Sequence, residues 1–195
     1  MKHLADFLAL YPRIRVEFLL EDAKTDLIAE SIDVAIRAGR LLKSSSVGRK
    51  LVEAPSILVA SPSYLAKNGA PADPRALAEH QCIVMARDSG RASWRLEGPS
   101  GAIEVTVSGR FRANSAGAVM EAAIAGLGIA LLPFPVCIAE IQAGRLARVL
   151  REHRDQGATV YATFPNRRHI PRAVSVFVDF VSEKLRLASG SWRLE

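Results

Sequence analysis

A two-lobed α/β fold is what these 195 residues predict. Three observations carry the prediction. Helix-periodic and strand-like stretches alternate from the start of the chain. Between Arg87 and Gly101 the composition turns to Gly, Ser, Arg and Pro around a single Trp94, which divides the chain. The alternation then resumes, with the helix-forming SAGAVMEAAIAG leading into the apolar IALLP. With 49% hydrophobic and 24% charged residues, the chain has enough apolar side chains for a sizeable core and is neither disordered nor fibrous.

The elements follow in order. LADFLALYP places Leu4, Phe7, Leu8 and Tyr11 on one helical stripe, and Pro12 stops it. RVEFLLE alternates and then runs apolar, as a strand does. Thr25 or Asp26 caps a short helix through Glu30, and DVAIRAG is a short strand ended by glycine. Helix, strand, helix, strand calls for a parallel sheet with helices on its faces. Two more strands are expected at Val47–Val52 and Ser56–Ala60, then the helix SPSYLAKNG with Pro62 in its first turn and Gly69 at its end. APADPRALAEH reads as a loop and short helix before the strand CIVMA, residues 82–86. SWRLE and AIEVTVSG are strands. Asn114 or Ser115 caps the alanine-rich helix, which Gly126 and Gly128 end. IALLP is a buried strand, PVCIAEIQAG a helix stopped by Gly144, and RLARVL and ATVYATFP are strands. Val174, Phe177, Val178, Val181 and Leu185 form the stripe of the last helix, with Pro171 in its first turn. The tail ASGSWRLE has no periodicity.

The net charge of +6, mostly arginine, suits acidic partners such as DNA, a membrane surface or small carboxylates without choosing among them. No apolar run approaches the roughly 20 residues that span a bilayer, and MKHLADFLALYP does not read as a signal peptide, so a soluble, cytoplasmic protein is expected. Cys82 and Cys137 sit in apolar surroundings and read as buried thiols rather than a disulfide. Neither has a CxxC partner, and His3, His80, His153 and His169 are scattered, so no metal site and no cofactor are expected. GLG at 126–128 follows a helix and precedes a strand, the reverse of a dinucleotide fingerprint. There is no G-x-S-x-G elbow and no paired acid and base, and the expectation is a binding module rather than an enzyme.

Several residues stand out as binding candidates. Glu21 and Asp22 follow a strand, on an edge where α/β sheets hold ligands. Arg37 ends DVAIR. It is either a solvated strand end or a carboxylate clamp, since guanidinium grips carboxylate through two parallel hydrogen bonds. Arg167, Arg168 and His169 precede the last helix, where three readings stay open: a polar loop, an anion site at a helix N-terminus or a DNA contact. Arg145, Arg148, Arg151 and Arg154 recur every three residues, but the stretch lacks any helix-turn-helix, zinc finger or aromatic-basic pattern, and a solvated basic face is expected.

Together, FLALYPRIRVEFLLED, SIDVAIRAG, VGRKLVEAPSILVASPSYLAKNGAPADPRALAEHQCIV, FRANSAGAVMEAAIAGLGIALLP, AGRLARVL and VYATFPNRRHIPRAVSVFVDFV resemble the effector-binding domain of LysR-type transcriptional regulators, in that family's order over about residues 4–187. The resemblance implies a fold like the type 2 periplasmic binding proteins, two lobes joined by two crossover strands. The expected division is lobe I at 1–83 plus 162–187, lobe II at 84–161 and a tail at 188–195, with the first crossing near 82–88. It implies a small-molecule effector held between lobes by Asp22, Arg37, Ala38, Gly39, Asn114, Ser115, Ala116, Pro133 and Phe134. The arginines suggest an organic anion. It also implies a homodimer or tetramer, with Leu4, Phe7, Leu8, Val119 and Ala123 at the dimer interface.

The sequence departs from the family at its start. The winged helix-turn-helix and linker helix are absent, so DNA binding is expected only through a domain this chain lacks. The strand that precedes the first helix in the family is absent too. A sensing and dimerisation domain of a regulator is therefore the first expectation, and a stand-alone solute-binding protein of the same fold the alternative. Under the first reading the basic corner at Arg167–His169 is a surface feature of the first lobe.

Overall fold

The computed structural model describes residues 3–20, 26–38, 47–85, 92–165 and 170–190. They form a mixed α/β chain that divides into two compact units, one of residues 1–53 and 159–195, the other Ala54–Ala158. The first boundary departs from the expectation near 82–88. Tyr64, Leu77, Cys82 and Val84 share one core with Trp94, Leu96, Val105, Val107 and Ile129, so the stretch before residue 84 belongs to the second unit by packing.

In the first unit, helix α1 (Leu4–Leu10) buries Phe7 completely. Its ring meets Tyr11, Phe177 and Phe180 at centroid distances of 4.9, 5.2 and 5.2 Å, separations at which aromatic rings attract. Strand β1 (Ala35–Ala38) pairs with β9 (Asp155–Phe164) antiparallel, Ala35 opposite Thr163 and Arg37 opposite Tyr161. The parallel pairing expected for this strand is thus replaced by an antiparallel one. Helix α5 (Arg172–Gly190) lays Val174 and Val178 into a core with Leu51, Ala162 and Phe164, and Val181 and Leu185 pack against it. Pro171 stands just before the helix, its carbonyl accepting from the Ser175 amide at 3.0 Å. The helix also continues to Gly190, into the tail that showed no period.

Two expected elements of this unit are not regular. Residues 14–20 form no strand with any described residue, and Phe18, Leu19 and Leu20 stand exposed. A strand exists through its ladder, so alternation without a neighbour leaves only an unpaired segment. Residues 27–31 form turns rather than a helix: Asp26 Oδ1 accepts from the Ile28 and Ala29 amides at 3.0 and 3.3 Å, and Ser31 has φ of 53°.

The second unit holds most of the strands. β2 (Val47–Ala60) runs 14 residues without a break and enters this unit at Ala54, where two strands were expected. It pairs antiparallel with β7 (Ile129–Pro133) and, at Val59 and Ala60, with the two-residue β8 (Ala147–Arg148). The expected strand RLARVL is cut to that bridge because Leu150 takes φ of 46° and turns the chain. β3 (Cys82–Met85) lies parallel to both β7 and β6 (Arg112–Ala113). β4 (Ala92–Gly98) and β5 (Gly101–Val107) form a hairpin that buries Trp94, Leu96, Val105 and Val107. Helix α2 (Pro62–Asn68) is capped by Ser61, whose hydroxyl accepts from the Tyr64 amide at 3.2 Å, and Asp73 caps a short 3-10 helix, Pro74–Glu79. α3 (Ala116–Ile124) and α4 (Phe134–Gln142) follow β6 and β7 directly.

Candidate functional site

The parallel strands β6, β3 and β7 all end on the same edge of the second unit. β6 delivers Asn114, Ser115 and the start of α3; β7 delivers Pro133, Phe134 and the start of α4. β3, between them, ends at Met85, in register with Ala113. Carboxyl ends of parallel strands are where α/β sheets gather ligands, because chain turns and helix amides converge there. Five of the expected effector contacts, Asn114, Ser115, Ala116, Pro133 and Phe134, therefore share one edge.

Their environments differ. Asn114 is exposed, while Ser115, Ala116 and Pro133 are half-buried. Ser115 is the N-cap of α3, and its carbonyl accepts from Val119 at 3.1 Å, but its hydroxyl caps no amide. Phe134 is buried, which makes it a wall more than a surface. The glycines behind this edge serve the backbone. Gly126, with φ of 81°, ends α3; at Gly128 a Cβ would lie 2.2 Å from the Gln81 carbonyl oxygen, which accepts from Ile129 at 2.9 Å. GLG thus lets β7 begin hard against β3.

Arg37 and Ala38 belong to the first unit, at the end of β1. Arg37 is half-buried and lines a cavity of about 890 Å³, bounded by Ile14–Leu20, Val34–Arg37 and, from α5, Val174 and Phe177. That volume is within the range of small-molecule sites, but the cavity gathers none of the other described candidates. Asp22 and Gly39 lie outside the described residues, as do Glu21, Thr25, Arg167, Arg168 and His169.

The residues expected at a dimer interface occupy two kinds of place. Phe7, Val119 and Ala123 are fully buried inside the chain. Leu4 and Leu8 are half-buried. Leucine and valine stripes mark the face a helix buries without saying whether its own chain or another covers it, and here its own chain does.

The titratable groups offer little chemistry. Burial pushes the Cys82 thiol up to about 12 and the Cys137 thiol up to about 11. They donate to the carbonyls of Leu77 and Phe134, each at 3.5 Å. Both are free thiols. Among the described residues no group of three or more His, Cys, Asp or Glu could hold a metal ion. The arginine series disperses. Arg145 pairs with Glu140, which holds that carboxyl below the usual range; Arg148 Nη2 donates to the Arg151 carbonyl at 2.9 Å; Arg154 bridges Glu97 through its backbone. Arg145, Arg151 and Arg154 are exposed and Arg148 is half-buried. No helix of the described residues is long and apolar enough to cross a membrane.

Comparison with known proteins agrees with this architecture. The LysR substrate binding domain family model matches residues 1–186. The chain is 33% identical over 181 residues to the HTH-type transcriptional regulator PtxR of Pseudomonas aeruginosa, covering 93% of this chain and 58% of that one. It is 32% identical to an uncharacterised HTH-type regulator of Haemophilus influenzae, covering 89% and 60%. Among solved structures, the regulatory domain of CrgA from Neisseria meningitidis superposes with a TM-score of 0.84 at 29% identity, covering 94% of this chain and 90% of that one. Full-length AphB of Vibrio cholerae gives 0.76 at 30% identity, covering 94% and 62%. The chain thus spans about three-fifths of the length of the curated regulators it matches.

Proposed function

The chain belongs to the LysR substrate-binding domain family, and from that premise we propose that it senses a small organic molecule for a transcriptional regulator. The observation that carries the reading is the convergence of Asn114, Ser115, Ala116, Pro133 and Phe134 at the carboxyl ends of β6 and β7. The first-turn amides of α3 suit a negatively charged or strongly accepting group on the effector. The Ser115 hydroxyl, which caps nothing, is free to turn to that group. Pro133 adds an apolar wall.

The mechanism is a population shift. The effector binds one arrangement of the regulator better than another and biases the geometry that a DNA-binding domain, outside these 195 residues, presents to its operator. A coupling of about 1–3 kcal/mol is typical of such linkage and suffices for a several-fold change in operator affinity. Self-association accompanies this reading, with the exposed neighbours of Leu4 and Leu8 on α1 as its surface. The protein works in the cytoplasm, and it binds its effector without turning it over.

A thermal-shift screen against small carboxylates, aromatics and sugars tests the reading. A ligand of the folded state adds about 2.7 kcal/mol of stability at a hundredfold excess over its dissociation constant. A hit is expected to weaken on Ser115→Ala with the apo melting temperature unchanged. A hit indifferent to Ser115→Ala would move the site away from α3. Arg37→Ala, made beside it, reports separately whether the first unit contributes to affinity.

A further inference from the structure

Two stretches of main chain line the cavity of about 890 Å³ in the first unit. Residues 14–20 are the first. The Ile14 amide donates to the Tyr11 carbonyl at 2.9 Å, and over residues 15–20 no backbone hydrogen bond joins the segment to a described residue. Ile14 and Val16 are half-buried while Arg15 and Glu17 are exposed, the two-residue alternation of a strand with one face covered. The second stretch is β1, which ends the described sheet and pairs there with β9. Ile36, within it, is 43% exposed. From α5 the lining takes Ala173, Val174 and Phe177. Its charged members are Arg15 and Arg37 against Glu17, Glu30 and Asp33, two cations and three anions, a balance that gives no preference for an anion.

We propose that this cavity binds an extended apolar peptide, which enters as a strand between residues 14–20 and β1. A run of unpaired amides and carbonyls beside apolar side chains is an open sheet edge, and such an edge favours pairing with a further chain. A small molecule meets the side chains of the lining but satisfies only a few backbone groups. An extended chain offers amides and carbonyls along both of its edges and side chains to both faces, so it meets the whole lining. At about 3.3 Å per residue, six or seven residues of peptide match the length of residues 14–20. Val174 and Phe177 favour apolar side chains on the face toward α5, and the mixed charges of the lining favour a peptide without net charge. The partner is therefore a neutral, aliphatic segment of another polypeptide. This site lies in the first unit and the effector edge in the second, so neither reading depends on the other.

The test uses the whole chain labelled with ¹⁵N and the acetylated, amidated peptide EVTIVVTK. The peptide is expected to shift the amides of residues 15–20 and of Ala35–Ala38 saturably, and to slow their exchange with solvent about tenfold. The same peptide N-methylated at every second residue keeps its side chains but loses the donors of one edge, and is expected to bind about tenfold more weakly. Successive strand amides point to opposite edges, so one of Glu17→Pro and Phe18→Pro removes a donor that faces the peptide. That variant is expected to weaken binding about tenfold, with the melting temperature of the free chain near wild type because no ladder is lost. Equal binding of the N-methylated peptide would reduce the contact to apolar adhesion and overturn the inference. Binding intact in both proline variants, or no shift in either stretch, also overturns it. Amides of residues 15–20 that are protected without peptide and released on dilution would make a second copy of this chain the occupant, and the proposed partner falls.

Discussion

The two units of this chain treat their apolar residues differently. In Ala54–Ala158 the strands find partners, and Leu58, Cys82, Val84, Trp94, Leu96, Val105, Val107 and Ile129 close into one core. In the other unit Phe18 (45%), Leu19 (56%) and Leu20 (90%), in a segment that pairs with no described strand, stay exposed. Composition does not separate these regions; RVEFLLE is as strand-like as SILVA. What separates them is whether a neighbouring backbone lies alongside. An apolar segment without a ladder, such as residues 14–20, remains at the surface however strongly it alternates.

The sharpest way to break this comparison is to truncate one leucine in each unit. Leu58→Ala, in a side chain with no exposure, is expected to cost about 2–5 kcal/mol. Leu20→Ala, at 90% exposure, is expected to stay within about 0.5 kcal/mol. Urea unfolding of the two variants measures both, and equal losses would mean that Leu20 is covered in solution.

A second difference concerns pH. Both thiols, Cys82 and Cys137, lie in the second unit, and burial raises both above the ordinary thiol value of 9.0. The folded state therefore keeps its thiol protons at pH values where the unfolded chain releases them. The associated stability is whole below pH 9 and is lost as pH rises from there toward 11 and 12. Each thiol contributes a slope of at most about 1.4 kcal/mol per pH unit. Denaturation midpoints measured from pH 8 to 10 should fall, and the fall should shrink in Cys82→Ala relative to that variant's own value at pH 8. Iodoacetamide should label neither thiol before unfolding.

The smallest effect expected is at a helix cap. Ser61→Ala removes the acceptor for the Tyr64 amide at 3.2 Å and should cost about 1 kcal/mol. Tyr64 is the link that makes this visible beyond α2: its hydroxyl accepts from the Gln81 amide at 3.1 Å and lies 3.0 Å from His80 Nδ1. Faster amide exchange at Gln81 in Ser61→Ala would show the second unit fraying at the start of β3. Exchange unchanged there would confine the loss to the helix.

Much of the fold was legible because it depends on near neighbours in sequence. Pro62 and Gly69 bracket α2, Gly126 ends α3, and the stripe from Val174 to Leu185 packs as its spacing requires. The candidate site was half legible. Asn114 and Ser115 announce a helix start, and Pro133–Phe134 a strand end, but nothing local says that these two turns stand on either side of one strand. The exposure of Met85 was not legible either, since nothing within CIVMA marks where β3 ends. Phe7, Val119 and Ala123 show the same limit: their helical stripes mark a buried face, and only the fold shows that the chain itself covers them.

By itself the sequence determined the class of the fold, the order of most elements and the caps that start and stop the helices, since a 3.6- or 2-residue period and a cap's hydrogen bond involve residues only a few positions apart. Tertiary structure decided the rest: that β1 runs antiparallel to β9, that β2 is one strand, that residues 14–20 pair with no described strand, and that Met85, Asn114 and Pro133 meet at one edge. Those outcomes depend on which distant backbone comes alongside to supply hydrogen bonds. No local pattern carries that information.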